Sequence, residues 1–234
     1  MSDPTPQVDS DSPKPRKVQQ RTIDNKVRIV DAAAVEFIAK GYAGTSVSDI
    51  IVRAFSNKNF FYSHFPGGKP DVAKEIMFMT TFDGQQDPPH PLMAQQIYDI
   101  AMILAYRART EARILAALKL SFEQAAIEEY GTPWPDWVVF NTQQIKEAQK
   151  RGEIRPHLVA EDEARQLPGL WAGLILTTGS IDGGYENVER YVSHGYRNTM
   201  KAWAFPEVVA DIDFSVNRGE MLYKKFLEGQ ERSS

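Results

Sequence analysis

Residues 45–69, TSVSDIIVRAFSNKNFFYSHFPGGK, leave the chain few ways to fold. Ser46 with Asp49 three residues on reads as a capping box, and Val47, Ile50, Ile51 and Ala54 follow at helical spacing. A break at Phe55 and Ser56 separates this short helix from a second one. That second helix takes Asn57 as its cap and runs through Lys58, Asn59, Phe60, Phe61, Tyr62 and Ser63. Two helices this short bury their apolar sides only by crossing steeply against a third. The geometry predicted is a helix-turn-helix, whose second helix offers its first residues to a DNA major groove.

The floor for that crossing is a helix over 24–40. Ile23, Val27, Val30, Ala34 and Phe37 recur at steps of three and four, and Gly41 is placed as its left-handed stop. Charge supports the same reading. The whole chain carries a net charge of -4, yet from Lys14 to Lys69 ten Lys and Arg face only four Asp and Glu. A basic N-terminal third on an acidic body is the footprint of a protein in which one domain touches phosphate. Chance clustering of surface charge is the plain alternative. Residues 1–20, with Pro4, Pro6, Pro13 and Pro15 among polar residues, read as a disordered tail. Its basic end, Lys14 to Lys17 with Arg21 beyond, suits either an arm along a minor groove or a solubilising segment.

The rest of the chain reads as helices separated by proline and glycine. Pro70 opens a fourth helix carrying Val72, Ile76, Met79 and Thr80, and a loop at Asp83 to Pro91 follows. Helices are predicted over 92–109, 111–130, 136–151, 161–178, 188–203 and 213–227, with Gly131, Pro133 and Pro135 forcing one of the turns. Pro168 is expected to break or kink its helix, whose second half, LWAGLILTTG, is apolar nearly all round. The helix over 188–203 carries Val188, Tyr191, Val192, Gly195, Tyr196, Thr199 and Trp203 on neighbouring faces. Surplus apolar area on these two late helices predicts a homodimer joined by a four-helix bundle. The fold class expected is all-α: a tail over 1–20, a three-helix DNA-binding domain over 21–69, and a helical ligand-binding and dimerisation domain over 70–234.

Other chemistries find no support. There are no cysteines, which suits a cytoplasmic protein, and no apolar run approaches the roughly 18 residues of a membrane span. His64, His90, His157 and His194 form no metal-ligand spacing; no G-x-S-x-G occurs, and Gly67-Gly68-Lys69-Pro70 lacks the phosphate-loop spacing. No enzyme activity, cofactor, metal or membrane partner is expected.

The phrase GYAGTSVSDI at 41–50 and the aromatic-x-His-Phe ending at Tyr62, Ser63, His64 and Phe65 lie within a stretch, Val27 to Met77, that resembles the N-terminal domain of TetR-family repressors. Three positions depart from that pattern. Phe55 stands where members usually carry glycine, Ser56 where they carry a small apolar residue, and Phe60 where they carry a small one. A phenylalanine in place of that glycine predicts a reshaped turn. Phe60 reads as exposed on the reading surface, suited equally to a thymine methyl or a protein partner. Side-chain chemistry and helix position assign Thr45, Ser46, Lys58, Tyr62, His64 and Lys69 to phosphates, and Asn57, Asn59, Phe60 and Ser63 to base edges.

Farther on, PWPDW at 133–137, Ala148, Gly152, the acidic helix start at Glu161, Gly173, and Arg197-x-x-Met200 resemble the gamma-butyrolactone and butenolide receptors of actinomycetes. That resemblance implies an autoregulator pocket lined by Trp137, whose indole offers a broad apolar wall and one donor. A core tryptophan bonded to a backbone carbonyl is the alternative. Two polar pocket positions of the subfamily fall on Trp171 and near Thr80. Met102, Leu118, Phe122, Phe140, Gln144, Leu174 and Thr178 complete the candidate lining, and each suits a core equally. The implied protein is a homodimer that binds a palindromic operator on double-stranded DNA. A small apolar butyrolactone- or butenolide-like signal releases it, in the setting of quorum sensing and antibiotic biosynthesis. The competing reading is a pseudo-receptor, a sensor of the same fold with weak or lost operator binding.

Overall fold

The computed structural model describes residues 15–79 and 90–232. Among these residues the structure is helical, apart from one isolated bridge between Ile154 and Ala204. α1 (Pro15–Gly44), α2 (Val47–Arg53), α3 (Lys58–His64) and α4 (Lys69–Met79) form the N-terminal part. They are followed by α5 (Met93–Thr110), α6 (Ala112–Leu120), α7 (Gln124–Tyr130) and α8 (Trp134–Lys150). α9 (Ala160–Asp182), α10 (Val188–Trp203), α11 (Pro206–Asp211) and α12 (Arg218–Glu231) complete the chain.

Two apolar cores divide the molecule. The N-terminal one gathers Ile29, Ala33 and Phe37 of α1, Ile50 of α2, Phe61 of α3, and Val72, Ile76 and Met77 of α4. Ala116 and Leu120 of α6 complete it, so α6 belongs to the packing of both halves. Ile23 and Val27, expected to face inward, are exposed instead, because the shorter helices cover only the C-terminal half of α1. That helix also starts earlier than expected. Residues 15–20, expected in the disordered tail, lie in α1; Pro15 suits a first turn and the Lys, Arg and Gln after it propagate a helix well. Residues 1–14, with Lys14 of the basic stretch, lie outside the described residues. Gly41 does take a positive φ, 72°, and α1 bends there before its last short turn.

The C-terminal core is built from α5, α8, α9 and α10. The single helix expected over 111–130 is two, parted at Ser121, whose hydroxyl donates to the Ala117 carbonyl at 2.7 Å. α9 runs unbroken through Pro168 rather than being interrupted there. Its second half is not buried on all sides: Gly169, Gly173, Thr177 and Ile181 form one exposed stripe. α10 matches its expected bounds. The closing helix begins at Arg218, not at residue 213, because Asp213 is used as an anchor. Its N–H donates to Gln95 Oε1 at 2.7 Å and its carboxylate accepts from Ser215 and Arg218. Arg218 also grips the buried Asp99 of α5, and Gly219 lets α12 approach the Met102 backbone closely.

Candidate functional site

The N-terminal helices are fixed by their ends. The Ser46 hydroxyl accepts the Asp49 N–H at 3.1 Å while Asp49 Oδ2 accepts the Ser46 N–H at 2.9 Å, so the capping box is closed. Asn57 Oδ1 accepts the Phe60 N–H at 2.9 Å and starts α3. Between them lies a Schellman turn, in which the Ser56 N–H reaches the Ile51 carbonyl at 3.1 Å and the Phe55 N–H that of Val52 at 3.2 Å. Phe55 occupies the left-handed position with φ 48°. The turn is therefore not reshaped, contrary to expectation. The Phe55 ring is 91% exposed, so no crowded neighbour forces the backbone elsewhere. From α1, Arg28 Nη2 donates to the carbonyls of Ala54 at 3.1 Å and Phe55 at 3.4 Å, holding the turn in place.

Ion pairs join α1 to both ends of α2. Buried Glu36 meets Lys40 at 2.8 Å and Arg53 at 2.5 Å, and Lys40 reaches Asp49 at 2.9 Å. Hydrogen bonds from Lys40 and then Arg53 hold the Glu36 carboxyl below its ordinary value of 4.5. The outer face of α3 leaves Lys58, Asn59, Tyr62 and Ser63 exposed, with Asn57 beside them. His64 is half-buried, its ring 4.9 Å from that of Phe60. Phe60 is itself half-buried against the N-terminal core rather than exposed, since helical spacing turns it toward the His64 side. Thr45 is buried and donates its hydroxyl to the Gly41 carbonyl at 2.7 Å, which places it in the α1–α2 corner and away from solvent. Lys69 also points inward. Its ammonium donates to the Tyr42 carbonyl at 2.7 Å and sits 4.3 Å from the centre of the Tyr42 ring.

A cavity opens in the C-terminal core. Ile97, Ile100, Ala101 and Leu104 of α5 form one wall, and Ile114, Ala117 and Leu118 of α6 a second. Trp134, Trp137 and Asn141 of α8 form a third, and Leu167, Pro168 and Trp171 of α9 a fourth. Met77 and Tyr196 also line the cavity. The cavity volume between these walls is approximately 70 Å³. No charged side chain lines it. Burial pushes the Tyr196 hydroxyl well above its ordinary pKa, so it stays neutral.

α6 connects the two sites. One face looks into the cavity; the other carries Ala116 and Leu120 into the N-terminal core. Polar contacts lock it to α1: Arg113 pairs with Asp31 at 2.6 Å, and Lys119 donates to the Ile38 carbonyl at 3.3 Å. Just beyond, Glu123 Oε2 accepts the Tyr42 N–H at 2.7 Å, and the Tyr42 hydroxyl donates to Glu129 at 3.3 Å. Tyr42 in turn accepts the Lys69 ammonium at its carbonyl, so a continuous set of contacts runs from α6 through the end of α1 to the start of α4.

Comparison with known proteins fits this geometry. The profile described as bacterial regulatory proteins, tetR family, matches residues 29–76. TylP, a TetR regulator from Streptomyces fradiae, superposes with a TM-score of 0.78 at 25% identity, over 88% of this chain and 98% of that one. Residues 29–76 thus form a TetR-type N-terminal domain. It is similar to the A-factor receptor protein of Streptomyces griseus, with 28% identity over 198 residues, 83% of this chain and 69% of the relative. A gamma-butyrolactone receptor structure shares the fold, with a TM-score of 0.67 at 18% identity, covering 88% of this chain and 99% of that one. TetR proteins are transcriptional regulators, not enzymes. Among the described residues no acidic or histidine cluster could hold a metal ion, and no helix is long and apolar enough to cross a membrane.

The expected ligand residues scatter. Trp137, Trp171 and Leu118 meet in the cavity. Thr80 lies outside the described residues. Met102 is buried against α12, and Leu174 packs at Gly195 of α10. Thr178 is buried with its hydroxyl on the Leu174 carbonyl. Phe122 is 54% exposed and contacts the outer side of Trp134, while Phe140 meets the Trp137 ring edge-on. Gln144 is half-buried one turn beyond. None of these six lines the cavity. Trp134 fell outside the helix expected from Asp136, and Asn141, inside it, was passed over. Three residues before Trp137 and four after it, both share that residue's helical face.

Proposed function

We propose that the protein is a homodimeric transcriptional repressor that binds a palindromic operator and is released by a small, uncharged, apolar molecule of butyrolactone or butenolide type. The observation that carries this reading is α6, which walls the cavity with one face and packs on the DNA-reading domain with the other. A ligand that fills the cavity pushes on that helix, so ligand and operator compete through the spacing of two reading heads. The likeness to a protein named as the A-factor receptor, and to the fold of a gamma-butyrolactone receptor, supports the ligand class. The reading extends to population-dependent control of antibiotic production.

Exposed Lys58, Asn59, Tyr62 and Ser63, with the caps Ser46 and Asn57, supply the DNA contacts. The exposed stripe of α9, together with α10, supplies the dimer contact, and pairing is needed because one short helix reads too few bases. The reading head takes in residues 21–69, and the remainder forms the sensing and pairing domain.

The test is a gel shift with the DNA flanking the protein's own gene. Saturable binding with a Kd on the order of 10 nM, abolished by an organic extract of the producing culture, is the expected result. Absence of binding even at low salt removes the repressor reading. It leaves the second one, a sensor with lost operator binding, which the bare Phe55 ring beside the reading helix favours.

A further inference from the structure

The cavity walls contain few groups able to form a hydrogen bond, and most are already engaged. The Trp134 indole N–H donates to the Ser121 carbonyl at 3.4 Å and that of Trp171 to the Ala101 carbonyl at 3.2 Å. The Ser121 hydroxyl donates to Ala117, and the Tyr196 hydroxyl donates to the Leu167 carbonyl at 3.4 Å. Asn141 differs. It is half-buried, it lines the cavity on the face of α8 that carries Trp134 and Trp137, and its carboxamide has no hydrogen-bond partner among the described residues.

A side-chain amide held against apolar walls presents two donors and one acceptor side by side. Enclosing it with an apolar ligand would strip its water and return nothing, which weakens binding. A ligand with a matching acceptor and donor meets no such penalty. An anion or cation fares worst, because no lining residue carries a countercharge.

We propose that Asn141 is the specificity-determining residue of the cavity, selecting neutral molecules whose flat apolar body lies against the three indoles and whose polar end sets a carbonyl acceptor beside a hydroxyl or amide donor. This rests on the reading of the cavity as the ligand site. Asn141 then discriminates among apolar molecules, and the tryptophans act as walls.

Three probes on one skeleton test it: naphthalene, 2-naphthamide and 2-naphthoate, titrated against the full chain by ligand-detected NMR. The expected order for the unaltered protein is 2-naphthamide tighter than naphthalene by about 10-fold, with 2-naphthoate weakest. In N141L the preference for the amide disappears while naphthalene binds as before or better. N141A gives the same loss of preference, and guards against a folding defect in the larger variant. If the preference survives in both variants, or if 2-naphthoate binds as well as the amide, the assignment to Asn141 is wrong and the cavity remains a ligand site. If the unaltered protein binds none of the three, the cavity reading falls and the assignment with it.

Discussion

Phe55 holds a backbone conformation that disfavours a residue with a Cβ by roughly 1–2 kcal/mol, and its ring gains little burial in return. F55G should therefore raise the urea unfolding midpoint by the equivalent of about 1 kcal/mol, with the circular dichroism spectrum unchanged. A lowered midpoint would show that the ring makes stabilising contacts after all. Glu36 makes a pH-dependent contribution. Its folded carboxyl lies below the ordinary 4.5, so the stability it adds is complete above that value and is lost as pH falls through the folded value. E36Q should be less stable than the parent at neutral pH, and the gap should narrow as pH falls below 4.5. Unfolding midpoints across that range check it; a constant gap would assign the loss to packing. The local signals at this scale were legible. Ser46, Asp49 and Asn57 read as caps because capping acts within four residues, whereas Arg28 on the Ala54 and Phe55 carbonyls spans 26 and 27 residues and left no mark in the pattern.

At the scale of elements, α6 was the hardest to read. Periodicity over 111–130 continues through Ser121, Phe122 and Glu123, with no glycine or proline to mark the corner. The corner exists because Glu123 turns to accept the Tyr42 N–H and Lys119 reaches the Ile38 carbonyl, both contacts from another part of the chain. E123A should release that clamp. The Tyr42 amide is expected to exchange with solvent at least several-fold faster, and the variant to need more ligand to leave its operator, because wall movement no longer reaches α1. Unchanged exchange at Tyr42 would remove Glu123 from the coupling. Helix positions elsewhere were well read from apolar spacing: α10 matches to the residue. Which inward side chains face a void and which face solid packing was not legible. Met102 and Leu118 have the same apolar character, but Met102 is covered by α12 and Leu118 is not.

For the whole molecule, the exposed stripe of α9 bears on assembly. Gly169 and Gly173 stand mid-helix, where glycine weakens a helix by about 1 kcal/mol relative to alanine, and an added Cβ at either would meet nothing within 4 Å in this chain. Such positions make sense where another helix approaches closely from outside. G173E should leave the protomer folded and shift the sedimentation mass from dimer to monomer. A dimer that persists in G173E would place the pairing surface elsewhere. The cavity has a wider consequence. A compound at home among walls that bear no ion is also at home in the oily middle of a lipid bilayer, so it crosses one without a carrier. On the proposed reading of the cavity as the ligand site, the regulator would report on what neighbouring cells release as readily as on what its own cell makes.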